Sequence, residues 1–445
     1  MLDLPRPSVG LPAGWSLPKP MTAVLDNGLQ VIAFQHDGQH IVSAELVLDL
    51  PLSCEPADSE GIAAIIADTL SEGTSRHPGN SFADTVANLG ASMGAAAGQS
   101  ASQLMLDVPS PNLGQTLGLL AEAVAEPTLA DADISRAKTL RLAEIEQETA
   151  DPSTRAHLAF REACVRAEYR FSRPGAGRAE TVTRITPAQA REFHHCRYQA
   201  KGATLILAGD FAADPLQAAE AAFGSWGNTA EQPAAHQHPT GNPGPAAVLI
   251  NHLGAVQAEV RLGTFSIDRG DPAFPALQLA CRAMGGAFLS RLNKVLREEK
   301  GYSYGVNLAI NPLRHGGLLA LRGSFRTEVA VDALDQARDL LDIGKRPFSA
   351  AELTDAVTHA WGSFPLAVST ADRLAGYAAS LVNAGLDLGY PQRFLADLRS
   401  VTPEAATATL AEQLPGDQLI LVVVGDAEAL ADPLRAAGWE ISVVS

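Results

Sequence analysis

The sequence says nearly the same thing twice. VSAELVLD, around Glu45, returns as VQAEVRLG around Glu259, an offset of 214 residues. Ile185–Pro187 (ITP) returns as Val401–Pro403 (VTP), and Leu205–Asp210 (LILAGD) as Leu421–Asp426 (LVVVGD), both offset by 216. Three matches in the same order and at nearly one spacing mark a duplicated unit. A chain of 445 residues is long enough for two cores. The segment Gly227–Ala247, rich in Pro, Gly and small polar residues and without periodicity, reads as the connection. The division expected is therefore residues 1–227, a linker 228–247, and residues 248–445.

Each half carries strand-like runs near its ends: Leu29–Phe34, Val42–Leu48 and Leu205–Ala208, then Ala247–Asn251, Ala258–Leu262 and Leu419–Val424. Helical patterns lie between them, at Asp133–Thr149, Val329–Leu341 and Ala351–Trp361. Strands and helices that do not strictly alternate predict an α+β fold: two homologous domains, each a mainly antiparallel sheet with helices on one face. With 46% hydrophobic but only 5% aromatic residues, the cores must be built of Ala, Leu and Val.

The net charge is −17 and no Lys/Arg cluster stands out, which argues against nucleic acid or an anionic membrane as partner. No apolar run approaches the about 18 residues of a membrane span, and the N-terminus lacks the pattern of a secretory signal, so a cytoplasmic protein is expected. Cys54, Cys164, Cys196 and Cys281 show no metal or redox spacing and read as buried free thiols.

The stretch Gly61–Thr74, GIAAIIADTLSEGT, has the form of a helix built around chemistry it does not contain. Ala64, Ala67 and Asp68 fall at i, i+3 and i+4, on one face. Together with the NGLQV strand at Asn27–Val31, this order of motifs resembles the pitrilysin/insulysin-like zinc peptidases, the inverzincins, over nearly the whole chain from about Pro20. Their pattern is G-L-A-H-x-x-E-H-x-x-x-x-G-T, in which two imidazoles hold zinc and the glutamate polarises its water. Carried over by position, the first His is Ala64, the Glu is Ala67 and the second His is Asp68; the third ligand, a glutamate on a later helix, falls at Glu144. The resemblance therefore implies no metal in this chain, with Asp68 and Glu144 as ordinary acids. Ile62, Ile65, Ile66 and Leu70 of the helix read as core.

The second half resembles the family more fully. GGAFLSRLNKVLREEKGYSYGVN, Gly285–Asn307, matches the stretch ending L-R-E-x-x-G-x-x-Y. In active relatives its Arg and Tyr bind the substrate backbone and stabilise the oxyanion; the matching residues are Arg297 and Tyr304, with Tyr302 as a competitor. The alternative for Arg297 is pairing with Glu298 or Glu299, and for Tyr304 a plain strand position. Some members divide the work between two chains, one bearing the zinc helix and the other the Arg/Tyr pair. This chain resembles the latter, as mitochondrial processing peptidase alpha-type subunits do. The resemblance implies a homologous zinc-binding partner, zinc in that partner, unfolded peptides as substrate, and no activity alone. A pseudoenzyme with a structural or peptide-binding role is the rival, and a homodimer with a metal held by Asp68 and Glu144 a third.

Three further features carry weaker signals. His194–His195–Cys196 reads as plain helix, since adjacent residues do not share a face. His236–Pro239 (HQHP) invites adventitious metal. Leu89–Ser102, LGASMGAAAGQSAS, fits equally an edge strand for peptide addition and a closely packed turn.

Overall fold

The computed structural model describes residues 16–228 and 236–444; residues 229–235 of the sequence-derived linker therefore lie outside the described residues. The chain forms two six-stranded sheets. The first holds β1 (Met21–Val24), β2 (Gln30–Gln35), β3 (Ile41–Leu48), β4 (Ser92–Ala97), β5 (Ser102–Pro109) and β6 (Thr204–Gly209), in the order β1-β2-β6-β3-β5-β4. The second holds β7 (Ala246–Asn251), β8 (Gln257–Ser266), β9 (Val306–Pro312), β10 (Gly317–Arg326), β11 (Ile420–Gly425) and β12 (Ile441–Val444), in the order β12-β7-β11-β8-β10-β9. Pairing is antiparallel except β2 with β6, β7 with β11 and β7 with β12. The expected α+β plan holds, and the sheets match strand for strand except at one edge. There the first sheet uses its N-terminal strand, antiparallel to β2, and the second its C-terminal strand, parallel to β7.

The repeated words have the same physical task in both halves. LILAGD and LVVVGD become β6 and β11, central strands buried along their whole length. The aspartate that ends each accepts a backbone N–H from the turn after the neighbouring strand: Gly38 to Asp210 at 3.2 Å, Gly254 to Asp426 at 3.1 Å. The threonine of ITP and VTP caps a helix, Thr186 accepting from Gln189 N and Thr402 from Ala405 N. VSAELVLD and VQAEVRLG are β3 and β8; β8 runs four residues beyond the strand expected from its pattern.

Each sheet carries helices of its own half on one face. In the first, Val42, Ala44, Leu46 and Leu207 pack with Ile62, Ile65 and Ile66 and with Leu117 and Leu120. The opposite faces are also apolar, and there the halves exchange helices. Helix Ala371–Asn383, from the second half, covers the first sheet: Leu374, Ala375, Ala378 and Ala379 lie on Phe34, Val47, Ile206 and Ala208. Helix Pro152–Cys164, from the first half, covers the second sheet, its Ala156, Phe160 and Cys164 meeting Leu318, Ala320, Ile420 and Val422. The alanine surface of the first of these helices lets its backbone lie close to the strands.

None of the four cysteines, all among the described residues, is in a disulfide, but Cys196 is half-exposed where a buried thiol was expected; it lies on the outer face of helix Pro187–Arg197 and donates to Glu192. Among the described residues no helix is long and apolar enough to cross a membrane.

Two outcomes follow from the exchange. Phe160→Ala removes a ring that is 1% exposed and should cost about 3–5 kcal/mol by urea denaturation. Hydrogen exchange in that variant should rise in β7, β8 and β11, although residue 160 belongs by sequence to the first half. Glu45 lies beside Gly376 of the exchanged helix; burial, and then the Asp107 carboxylate, push its carboxyl up to about 7 from an ordinary 4.5. Between these values the folded chain keeps a proton that the unfolded chain has released, so stability falls as pH rises from about 4.5 to about 7. Glu45→Gln should flatten that decline in thermal melts taken across the interval.

Candidate functional site: a metal-type helix without ligands

Helix Ile62–Thr69 is held by residues that never needed to touch a metal. Gly61 starts it at φ 102°, and a Cβ there would come 2.7 Å from the Ala176 carbonyl oxygen. Its first amides are capped from a distance: the Glu55 carboxylate accepts from Gly61 N at 3.1 Å and Ala63 N at 3.0 Å. Arg170 closes on the same carboxylate through Nε at 2.9 Å and Nη2 at 2.8 Å, and Arg173 pairs with Glu60 at 2.8 Å. Burial raises the Glu55 carboxyl, and Arg170 is the chief force opposing that rise. At the far end a Cβ on Gly73 would collide with the Gly79 amide at 2.5 Å, while Thr74 donates to Glu122 at 3.1 Å. Ile62, Ile65, Ile66 and Leu70 are core, as their spacing predicts.

On the open face the three positions of chemistry carry little. Ala64 is half-buried, Ala67 is buried and Asp68 is exposed. Partial burial and the neighbouring Glu144 raise the Asp68 carboxyl above its usual range, with Arg141 opposing. Glu144 lies on helix Asp131–Ala150, where Arg141 donates to it at 3.0 Å and grips Glu148 through two nitrogens at 2.7 and 2.9 Å. Arg141 also donates to the Ala176 carbonyl at 3.2 Å. A guanidinium thus neutralises the carboxylates that a metal would otherwise attract. Two methyl groups and two acids, one of them already paired with Arg141, do not fit zinc. Among the described residues no three His, Cys, Asp or Glu side chains form a group able to hold a metal. Arg141 lies three and seven residues before Glu144 and Glu148, a helical spacing that by itself signals the pairing.

In the second half, two segments are wound in wide π turns, Arg282–Gly286, which leads into the stretch Gly285–Asn307, and Lys294–Glu299 within it, a geometry that recurs at functional sites. Arg297 sits in the second, its guanidinium 3.6 Å over the Phe288 ring and paired with Glu298 at 3.2 Å. Gly301, at φ 63°, then turns the chain toward β9. Tyr304 is on that turn, outside the strand, and 99% exposed. Tyr302 points elsewhere, its hydroxyl donating to Asp332 at 2.5 Å. Phe288 and Leu289 are exposed beside Arg297.

The remaining candidates resolve simply. His194 is buried in its helix with Nε2 2.9 Å from the Val124 carbonyl, and burial holds it near 4. His236 bonds Asp49 at 2.6 Å, and His238 stacks on His315. Residues 92–97 of the small-residue stretch form β4, the outer strand of the first sheet, next to helix Ile62–Thr69.

Duplicated sheets, exchanged helices and a metal-type helix stripped of its ligands define a metallopeptidase-like scaffold. A family model described as "Insulinase (Peptidase family M16)" matches residues 31–174, and one described as "Peptidase M16 inactive domain" matches residues 184–359. The chain belongs to the M16, or insulinase, peptidase family. It is 26% identical over 342 residues to an uncharacterized zinc protease of Mycobacterium tuberculosis, covering 76% of this chain and 77% of that one. A second such protein, from Streptomyces coelicolor, is 26% identical over 66% of this chain and 65% of its own length. Among solved structures, a peptidase M16 inactive domain from Pseudomonas fluorescens matches with a TM-score of 0.81 at 24% identity, over 92% of this chain and 98% of that one. A protease from Helicobacter pylori matches with a TM-score of 0.84 at 16% identity, over 92% and 100%.

Arg170→Ala would leave Glu55 buried without its counter-charge, and chemical denaturation should show a loss of about 3–5 kcal/mol. Arg170→Lys should recover only part of this, since an ammonium cannot reproduce the two-nitrogen grip.

Proposed function

We propose that this chain is the non-catalytic subunit of a heterodimeric zinc metallopeptidase of the cytoplasm. The observation that carries the reading is an asymmetry: Ala64 and Ala67 stand where the zinc histidine and the base belong, while Tyr304 is fully presented and Arg297, seven residues before it, is braced on Phe288. A homologous partner supplies the H-x-x-E-H helix and its zinc. Arg297 and Tyr304 then donate hydrogen bonds to the scissile carbonyl of an unfolded peptide, strongest as its oxygen gains negative charge. Stacking on Phe288 limits the rotamers of Arg297, so little freedom is lost when it engages substrate. The outer strand β4 offers an unfilled ladder edge to an extended peptide.

The test is reconstitution. Purified alone, the chain should not cleave a quenched fluorescent peptide; with an H-x-x-E-H subunit from the same genome it should, in a chelator-sensitive way. Arg297→Ala and Tyr304→Phe should each lower kcat by about 100-fold or more without loss of complex. Full activity in both variants removes the shared site. A stable complex with no cleavage of any peptide would favour a structural or peptide-binding pseudoenzyme instead.

A further inference from the structure

Arg261 of β8 and Arg322 of β10 stand directly opposite each other in the ladder and so share a face of the second sheet. Like charges in that position repel, and a guanidinium cannot shed its proton. The exchanged helix Pro152–Cys164 adds to the positive charge. Arg261 donates to the carbonyl and hydroxyl oxygens of its Ser153, at 3.1 and 2.7 Å. One turn on, Arg161 Nη2 lies 3.0 Å from His157 Nε2. A guanidinium only donates, so that nitrogen accepts and the ring proton sits on Nδ1, an additional donor. Burial, then Arg161, Arg322 and Arg261, hold His157 near 4, hence neutral.

Acceptors are scarce here. Glu259 approaches Arg261 at 3.2 Å, and Asp151, on the first turn of the helix, is turned to the Thr154 amide. The Nε atoms of Arg161, Arg261 and Arg322 are buried and unbonded. Arg261 is only 5% exposed. Arg322 makes no hydrogen bond or ion pair with any described residue, whereas Arg141, Arg170 and Arg291 each hold a carboxylate. Across the other ladder Arg322 faces Asn307 of β9, exposed and three residues after Tyr304. The basic face therefore opens beside the turn that carries Tyr304.

We propose that Arg322, backed by Arg261 and His157, binds a carboxylate of the peptide that passes Tyr304, so that this subunit selects peptides with an acidic group. The inference rests on the peptide-handling reading above. The carboxylate is either a Glu/Asp side chain or the chain's own C-terminus; both present the same planar pair of oxygens to a guanidinium.

The test uses the full chain without a partner. Three labelled peptides of one sequence are titrated by fluorescence polarisation: one with a Glu and a free C-terminus, one with Glu replaced by Gln, one with the C-terminus amidated. Loss of one carboxylate should weaken binding about tenfold or more, and the peptide affected names the source. Arg322→Gln should bring the acidic peptide down to the same weak level. It should melt no lower than the parent, because it breaks no internal bond and relieves Arg261. Equal binding of all three peptides, binding of none, or an unchanged affinity in Arg322→Gln overturns the proposal. Because no partner is present, acid-selective binding can persist even where reconstituted cleavage fails, which separates this inference from the subunit reading.

Discussion

Two apolar sheets, each needing cover on both faces, govern this structure. A half has enough helices of its own for one face only, and the second is buried by a single helix reaching over from the other half. Phe160 and Cys164 belong to the first half by sequence but to the core of the second by packing; Leu374 and Ala378 do the reverse. Burial scales with area removed from water, so neither half could leave that face bare. The two cores are consequently one energetic unit. The same arrangement places Ser153, His157 and Arg161 over β8 and β10, so the basic face exists only because the helices are exchanged.

The helix at residues 62–69 shows how a motif divides between architecture and chemistry. Gly61, Gly73 and Thr74 answer to steric contacts and hydrogen bonds with Ala176, Gly79 and Glu122, none of which involves metal. Glu55 and Arg170 hold the helix start from positions 115 residues apart. Only the three positions on the open face were free to lose their chemical function, and Arg141 then satisfies the acid left over at Glu144. In the second half an arginine lies over an aromatic ring and a tyrosine stands out on a glycine turn.

Much of this was legible in the sequence. The repeats located both sheets, and the limits of the long helices fell within two residues, Asp133–Thr149 becoming Asp131–Ala150, whereas the stretch Gly61–Thr74 is helical only over Ile62–Thr69. Local patterns encode local structure, which is why the metal-type helix could be read with its core residues and its blanks. The helix exchange could not be read, because amphipathic spacing says which face is buried and nothing about what buries it. Nor could the Glu55–Arg170 pair, which brings together two turns far apart in the chain, or the apposition of Arg261 and Arg322, which strand pairing creates. The exposure of Cys196 is hidden in the sequence, because a helix surface position near the end of Pro187–Arg197 looks like its buried neighbours Phe193 and His194.

The crossing of the two helices also settles what happens if the chain is divided. A cut between residues 228 and 236 would separate the polypeptide into two pieces without separating the protein. Each piece would still hold one arm across the other, as two hooks remain engaged after the thread between them is severed. Parting them would mean baring Phe34 and Val47 on one side and Val422 and Phe160 on the other. The two halves are thus joined by packing as well as by the chain that runs between them.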